Sequence, residues 1–274
     1  MNEYAELTDR NTGIITKDQQ QRLKDSCIAV FGVGGLGGII AEIICRSGVG
    51  HIKIIEPDTF DSSNLNRHVF CYKSTIGKKK IDIAEEYLKN IYSEIKIDKY
   101  LSENAENIDE ILQNVDAVVL AVDKVRACIL VSREAKKRGI PLIEGWALPY
   151  GNVRVFTKDT ISLEQAYNLP STNKELDTFN EDDFAKMDLS MLETISQFEG
   201  ITSFYTPVAQ ERVFIERKNP SFAPLVWLTA VLMSLEAIKA ILDIEKLSLA
   251  PAYALYDPFL HHIPKQNIEN EAEK

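Results

Sequence analysis

Residues 27–38 read CIAVFGVGGLGG, a short apolar run followed by a glycine-rich turn, and they are the strongest indication of the fold. The apolar run 27–31 is short and bounded by glycine, which is typical of a buried strand in a parallel sheet. The glycines after it have the spacing GxGxxG at Gly32, Gly34 and Gly37. A helical pattern over 36–46 and an apolar run over 51–56 follow, so the stretch predicts a β–α–β unit with a right-handed crossover.

Strands and helices keep alternating beyond this unit. The predicted elements are a helix at 76–91, a strand at 95–100, a helix at 105–113, a strand at 116–122, a helix at 125–138, and strands at 140–144 and 152–156. Such alternation predicts an α/β fold: a Rossmann-like, doubly wound and mainly parallel sheet with helices on both faces.

The predicted sheet accounts for only part of the chain. Residues 158–220 are mixed and polar with only short helical patterns, which indicates a long mobile crossover loop of the kind that often serves as a lid. We expect one domain over residues 1–274. Its parts are an N-terminal arm (1–25), a nucleotide-binding core (26–157), the crossover loop (158–220), a C-terminal helix at 225–242 and strand at 253–256 (within 221–260), and a tail (261–274).

Composition limits which classes of partner and which cellular compartment are expected. The 31 Lys and Arg against 41 Asp and Glu give a net charge of −10, which disfavours a nucleic-acid partner. The four cysteines form no CxxC pair, so we expect a reducing, cytoplasmic location, and the polar N-terminus shows no signal peptide. The longest apolar stretch, 222–235, is too short for a bilayer, so no membrane partner is expected.

The glycine turn itself predicts nucleotide binding. Close backbone approach at Gly32, Gly34, Gly35 and Gly37, together with the positive end of the following helix, suits a phosphate. Glu56 follows Gly37 by 19 residues and ends the next strand, where an acid binds ribose hydroxyls. On these residues alone NAD is the first nucleotide suggested.

The residues after the second strand favour a polyphosphate instead. Three polar side chains suited to phosphates follow that strand: Asn64, Arg67 and Lys80. Asp58, which directly precedes them, is a further candidate for binding the nucleotide. A guanidinium grips phosphate oxygens as a fork, and an ammonium acts as a point charge. Asp123 ends an apolar strand and is placed to hold Mg²⁺ through its carboxylate.

The order GxGGLG, acid, NLNR, IGxxK and strand-Asp resembles the superfamily of ThiF-type adenylyltransferases, molybdopterin-synthase activating enzymes and ubiquitin-activating enzymes. The resemblance covers residues 10–157, with a weaker echo at 223–242 and 256–258. It implies that Glu56 holds the ribose, that Asn64, Arg67 and Lys80 hold the phosphates, and that Asp123 serves Mg²⁺ and the reacting centre. It also implies a homodimer, in which Arg10 of the N-terminal arm reaches the ATP of the partner subunit.

The chain departs from the family pattern in three ways. Glu56 stands where Asp is usual, the second half lacks paired CxxC motifs, and no cysteine follows Cys128. The last departure argues against thioester transfer on this chain. We expect Cys27 and Cys45 to be small buried side chains and Cys71 to be structural.

The resemblance therefore implies adenylation of a carboxylate by ATP and Mg²⁺, releasing pyrophosphate. The expected substrate is the C-terminal glycine of a ubiquitin-like or sulfur-carrier protein, or a peptide. Alternatives are a tRNA threonylcarbamoyladenosine dehydratase-like enzyme, a non-catalytic family member, and an NAD-dependent oxidoreductase. Local alternatives also stay open: Arg67 as a surface cation paired with Asp58 or Asp61, Asp123 as a helix cap, and Arg10 as a solvated charge.

Overall fold

The computed structural model describes residues 2–148, 150–196, 207–216, 218–244, 246–261 and 263. Within them, seven strands form one sheet in the order β3-β2-β1-β4-β5-β6-β7. The strands are β1 Cys27–Phe31, β2 His51–Ile55, β3 Lys96–Tyr100, β4 Ala117–Leu120, β5 Leu142–Glu144, β6 Gly151–Phe156 and β7 Ala254–Tyr256. Neighbours from β3 to β5 pair in parallel, whereas β6 pairs antiparallel with both β5 and β7. The predicted fold class is confirmed.

The strand order positions the site. Strand β1 pairs with β2 on one side and with β4 on the other. The chain thus winds outward from β1 in both directions, and a crevice opens beyond the carboxyl ends of β1 and β4. Ligands of such sheets bind at this switch point.

Helices cover both faces of the sheet. They are α1 Glu3–Thr8, α2 Lys17–Asp25, α3 Gly35–Arg46, α4 Lys80–Ile91, α5 Ile108–Ile111, α6 Val125–Arg138, α7 Leu163–Ala166, α8 Glu181–Ser196, α9 Pro207–Gln210 and α10 Ala223–Ile241. One apolar core joins one sheet face to α3, α4 and α10, and a second joins the other face to α5, α6 and α8. The burial of apolar side chains on both faces stabilises the sheet.

The crossover segment (residues 158–220) contradicts the prediction of short helical pieces only. Helix α8 is 16 residues long. Its buried side chains are Phe184, Met187, Met191 and Ile195. They recur at helical spacing and pack into the second core. The signal was present in the sequence, but the polar residues between these positions obscured it.

Two other predicted helices are shorter in the structure. The predicted helix 105–113 keeps only the four residues of α5. The predicted helix 76–91 begins at Lys80, because Lys79 forms an isolated antiparallel bridge with Thr59. Gly77 before it has φ +81°, a left-handed conformation that interrupts a helix.

The N-terminal arm (residues 1–25) packs against its own chain. The buried Tyr4 of α1 places its hydroxyl 2.8 Å from the Gly48 carbonyl oxygen. Asn11 donates to the Ser47 carbonyl oxygen at 3.3 Å. The arm is therefore anchored beside the C-terminal end of α3.

Helix α10 is longer than the apolar stretch 222–235, which the sequence predicts to be too short to cross a bilayer. Its 19 residues are long and apolar enough to cross a membrane by length and composition. It packs on α3 and β6, and Ala230, Met233 and Ala237 are fully buried in the first core. This packing is that of a core helix.

Candidate active site

The glycine turn is closely packed between strand β4 and helix α3. Gly32 has φ +88°, and a Cβ there would lie 2.6 Å from the Ala121 carbonyl oxygen. A Cβ at Gly37 would lie 1.8 Å from the Gly32 carbonyl oxygen. Only glycine fits these two positions. The turn therefore presents bare backbone at the N-terminus of α3, where N–H groups and the helix dipole favour an anion.

Glu56 lies directly after β2 and is 4% exposed. One carboxylate oxygen accepts a 2.9 Å hydrogen bond from the Val33 N–H, and the other accepts a 3.0 Å bond from the Asp58 N–H. Glu56 thus holds the glycine turn against the residue that follows β2. A carboxylate oxygen has a further lone pair, so these contacts leave capacity for a ribose hydroxyl.

Lys80 brings positive charge to the same place. It is buried at the first position of α4, with its Nζ 3.0 Å from Asp58 Oδ2 and 3.7 Å from Glu56 Oε1. The side chain of Asp58 is 66% exposed. The ammonium is therefore held at the sheet edge by one buried and one open carboxylate.

Arg67 lies over the glycine turn and makes no ion pair with the described residues. A Cβ at Gly35 would lie 3.3 Å from Arg67 Cγ, and the guanidinium donates to Ser63 O at 3.1 Å and Asn66 Oδ1 at 2.7 Å. Burial lowers the pKa of Arg67. The alternative of a surface cation paired with Asp58 or Asp61 is wrong, and the guanidinium keeps its charge available for an anion.

Asn64 has a more local role in this structure. It ends a 3₁₀ turn, and its Oδ1 accepts a 3.1 Å hydrogen bond from the Asp61 N–H. This bond shapes the loop that carries Arg67. Within the part of the chain that the structure describes, its amide nitrogen has one contact, at 3.5 Å to the Ser63 hydroxyl, so a donor is left for a phosphate.

Asp123 follows β4 by three residues and is exposed. It does not cap α6, because the N-cap residue is Lys124. The Lys124 side chain makes no capping hydrogen bond with the helix. The cap comes from Asp188 of α8, whose carboxylate accepts a 2.8 Å hydrogen bond from the Val125 N–H. The capping alternative for Asp123 is therefore wrong, and its carboxylate remains open to a cation.

A cavity of about 380 Å³ opens beside Asp123. Its lining residues are Asp123, Trp146, Ala185, Lys186, Asp188, Leu189, Met191, Leu192, Val213 and Asn219. Burial raises the pKa of Asp188, the hydrogen bond from Val125 lowers it, and the charge of Asp123 raises it. The cavity thus combines apolar side chains with two carboxylates, Asp123 and Asp188, and with Lys186 and Asn219.

Trp146 lines the cavity, and hydrogen bonds to Asn152 and Tyr167 hold it in place. Its backbone N–H donates to Asn152 Oδ1 at 2.8 Å, and its indole N–H donates to the Tyr167 hydroxyl at 2.6 Å. Tyr167 in turn lies 2.9 Å from Glu144, which pairs with the buried Arg154 at 2.6 Å. This buried network fixes the ring that faces Asp123.

His68 lies beside Gly34 of the glycine turn. It is buried next to Arg67, and a Cβ at Gly34 would lie 3.5 Å from its Cε1. Burial, assisted by the positive charges of Arg67 and Lys80, lowers the pKa of His68 to about 3. The ring is therefore neutral at physiological pH.

Sequence reasoning missed His68, Trp146 and Asp188. Trp146 follows β5 at the carboxyl edge, so the topology of a parallel sheet offered a signal for it. Asp188 lies in the overlooked helix α8. Nothing local to His68 distinguishes an inward from an outward histidine.

All four cysteines are free and buried. Burial raises the pKa of Cys27 and of Cys45 to about 12, and it raises the pKa of Cys71 and Cys128 as well. Nucleophilic attack needs a thiolate, which these surroundings disfavour. Cys27 and Cys45 are thus the buried side chains that the sequence predicted.

Arg10 lies far from the glycine turn of its own chain. Its side chain is 99% exposed and lies 4.0 Å from Asp9. The neighbouring Asn11 contacts the C-terminal end of α3, whose 12 residues span about 18 Å. Arg10 therefore does not contribute to the site that its own chain forms.

The edge of the sheet fits a nucleoside triphosphate with a divalent cation. The glycine turn leaves a cradle that a Cβ would fill, two cations face it, and Asp123 supplies a free carboxylate oxygen ligand. The described residues hold no group of three or more metal-ligating side chains.

The chain is similar over about half its length to two curated enzymes. Over 138 residues the chain is 36% identical to tRNA threonylcarbamoyladenosine dehydratase of Bacillus subtilis (strain 168), covering 49% of this chain and 54% of that protein. Over 144 residues it is 33% identical to the sulfur carrier protein adenylyltransferase of Thermus thermophilus, covering 52% and 53%. The chain spans about half the length of these curated relatives.

A solved structure shares the fold over nearly the whole chain. The crystal structure of E. coli MccB with ATP has a TM-score of 0.65 and 20% sequence identity, covering 97% of this chain and 71% of that one. At this identity the likeness shows the fold alone. A model of the ThiF family matches residues 8–274, and the chain therefore belongs to the ThiF family.

Proposed function

We propose that this protein binds ATP with Mg²⁺ and transfers the adenylyl group to a carboxylate. The observation that carries the proposal is the meeting of the glycine turn, Arg67, Lys80 and Asp123 at one edge of the sheet. The adenylyltransferases named among its relatives support the same chemistry.

The reaction needs charge stabilisation and positioning rather than covalent catalysis by the protein. A carboxylate oxygen of the substrate attacks the α-phosphorus, the bond to the bridging oxygen breaks, and pyrophosphate leaves with the electron pair. Arg67 and Lys80 neutralise the phosphates, and Asp123 would hold the Mg²⁺ ion that screens the α-phosphate. Glu56 and Asp58 would hold the ribose side.

The acyl substrate enters by the cavity beside Asp123. Asp123 lines this cavity, so an acyl group lying in it would be next to the proposed Mg²⁺ ligand. Its apolar walls suit an extended peptide end. We propose the C-terminus of a sulfur-carrier or ubiquitin-like protein, or of a peptide, as the substrate.

A homodimer completes the site. Arg10 is exposed and too distant to serve its own chain, which fits a contact across a two-fold axis. Helix α10 also exposes an apolar stripe, Trp227, Val231 and Leu235, at four-residue spacing. Exposed apolar residues grouped in this way mark an interaction surface. The four free thiols support a reducing compartment such as the cytoplasm.

The 36% identity to the dehydratase favours a second candidate substrate, the carboxylate of a modified tRNA nucleoside. Pyrophosphate exchange separates the candidates. Purified protein is incubated with ATP, Mg²⁺ and labelled pyrophosphate, together with a sulfur-carrier protein ending in Gly-Gly, with synthetic peptides, or with threonylcarbamoyl-modified tRNA. We expect exchange with one of these classes.

Thermal unfolding with ATP and Mg²⁺, and separately with NAD, supplies the control for ligand class. A ligand that binds only the native state raises the Tm. A rise with NAD and none with ATP would contradict the proposal. Binding of ATP without exchange on any substrate would favour a non-catalytic member of the family.

A further inference from the structure

His68 has a buried polar atom that the proposed reaction has not used. The residue is 8% exposed, and its ring packs edge-on against Phe60 with 6.2 Å between centroids. Its Nδ1 is fully buried and has no hydrogen-bond partner among the described residues. Because a buried donor without an acceptor is costly, this atom bears on which ring nitrogen carries the proton.

The charges that face His68 determine its protonation. Arg67 and Lys80 lower its pKa and Asp58 raises it, but burial has the largest effect and the pKa falls to about 3. A neutral imidazole carries one proton, on Nδ1 or on Nε2. A proton on Nδ1 would bury an N–H donor without an acceptor, which costs more than leaving an acceptor unused. The proton therefore belongs on Nε2.

The edge of the ring that carries Nε2 faces the glycine turn. A Cβ at Gly34 would lie 3.5 Å from His68 Cε1 and 3.9 Å from Nε2. Gly34 is the N-cap residue of α3, and because glycine has no side chain it cannot cap the helix. Nε2 is not among the fully buried polar atoms without a partner. A donor thus points at the place where the helix N-terminus favours an anion.

We propose that His68 is a nucleotide-binding residue, whose Nε2–H donates a hydrogen bond to a phosphate oxygen of ATP lying over Gly34. This inference rests on the proposed function, because it takes the glycine turn as the ATP site. Arg67 and Lys80 supply charge to the phosphates, whereas the locked ring of His68 supplies a donor with a fixed direction. The bound phosphates also offset those two cations, so the pKa of His68 rises when ATP binds.

The first test reads the ring directly. Full-length protein with ¹⁵N-labelled histidine is studied by NMR, and the signals of His68 are assigned as those missing from His68→Gln. We expect the Nε2–H form in the free protein. Saturation with a non-hydrolysable ATP analogue and Mg²⁺ should shift the Nε2 resonance and raise the pH at which the ring titrates.

The second test measures affinity for the same analogue by calorimetry. His68→Phe keeps the packing against Phe60 and removes the donor, and we expect its Kd to rise about tenfold or more, as for one hydrogen bond to a charged acceptor. His68→Gln restores a donor and should recover part of the affinity. The control His51→Phe alters a histidine that pairs with Asp98 at the opposite end of β2 and should leave the Kd unchanged.

The outcomes distinguish failure of ATP binding from failure of the His68 assignment. If wild-type protein binds no ATP analogue, the proposed function fails. If it binds the analogue while the His68 signals stay unmoved, or if the ring carries its proton on Nδ1, the assignment of His68 is overturned. Equal affinity of wild type and His68→Phe, with unchanged Tm, overturns it as well.

Discussion

The carboxylate of Asp188 accepts a 2.8 Å hydrogen bond from the backbone N–H of Val125, 63 positions away in the chain. Asp188 belongs to α8 in the crossover segment, and Val125 opens α6 two residues after Asp123. No side chain at the N-cap position of α6 takes this N–H. The crossover helix thus supplies the missing cap and fixes the residues next to Asp123.

This relationship predicts a coupled loss of stability and activity. Asp188→Ala removes the cap and should lower the free energy of unfolding by about 1 kcal/mol, which corresponds to about 2–4 °C in Tm. Pyrophosphate exchange should also fall, because Asp123 loses its anchor. Asp188→Asn keeps an acceptor oxygen and should retain most of the Tm. The control is Asp182→Ala, an exposed acid on the same helix, and an Asp188→Ala protein that matches this control in both assays would refute the coupling.

Arg67→Ala and Asp123→Asn should each lower pyrophosphate exchange by about 10²–10³, the usual loss when one preorganised contact to transition-state charge is removed. Both residues lie at the edge of the sheet, so the circular dichroism spectrum should not change. Arg46→Ala, which removes an exposed arginine paired with Glu42, and Asp159→Asn are the matched controls. Near wild-type exchange in either active-site variant would remove that residue from the site.

No cysteine of this chain should carry the substrate as a thioester. Burial raises the pKa of all four thiols, so little thiolate forms near pH 7.5. Iodoacetamide should react slowly with the native protein and completely with the unfolded protein. Cys71→Ser should keep full exchange. A reductant-sensitive adduct on Cys71 or Cys128, found by intact mass during turnover, would contradict this prediction.

Arg10 should act across the subunit interface. Arg10→Ala should lower turnover with little change in Tm, because the side chain is exposed and makes only a 4.0 Å contact with Asp9. Mixing Arg10→Ala subunits with Asp123→Asn subunits creates dimers in which one site has both residues, so part of the activity should return. If subunits are shown to exchange and no activity returns, Arg10 does not serve the partner's site.

His68 should make the protein less stable in acid. Its pKa is about 3 in the folded chain and near 6.5 when exposed, so between these values the unfolded chain binds the proton and the folded chain does not. Stability therefore falls as pH decreases through this window, by up to about 1.4 kcal/mol per pH unit. The free energy of unfolding, measured with urea at several pH values from 7 to 4, should fall less steeply with decreasing pH for His68→Gln than for wild type. Equal slopes would contradict the burial of a neutral ring.

Local sequence patterns were sufficient to predict the fold class and to predict which candidate site residues lie together at one edge of the sheet. Glycine at positions 32 and 37 is required by contacts inside the turn, and Glu56 and Lys80 lie within one β–α–β unit and its extension. Short chain separations and a strict strand–helix alternation leave few topologies, so these residues converge wherever a parallel sheet forms. The buried positions of Cys27 and Cys45 follow from the same pattern.

Residues that reach this edge from distant parts of the chain could not be predicted, because their positions depend on packing in the folded protein. Asp188, Trp146 and the inward ring of His68 gain their roles from packing, which no local spacing encodes. Helix α8 acquires its face from the second core, and the N-terminal arm acquires its place from Tyr4 at Gly48. A hydrogen bond or a buried ring depends on which surfaces meet, and contacts between distant segments are set by the whole core rather than by neighbours in the sequence.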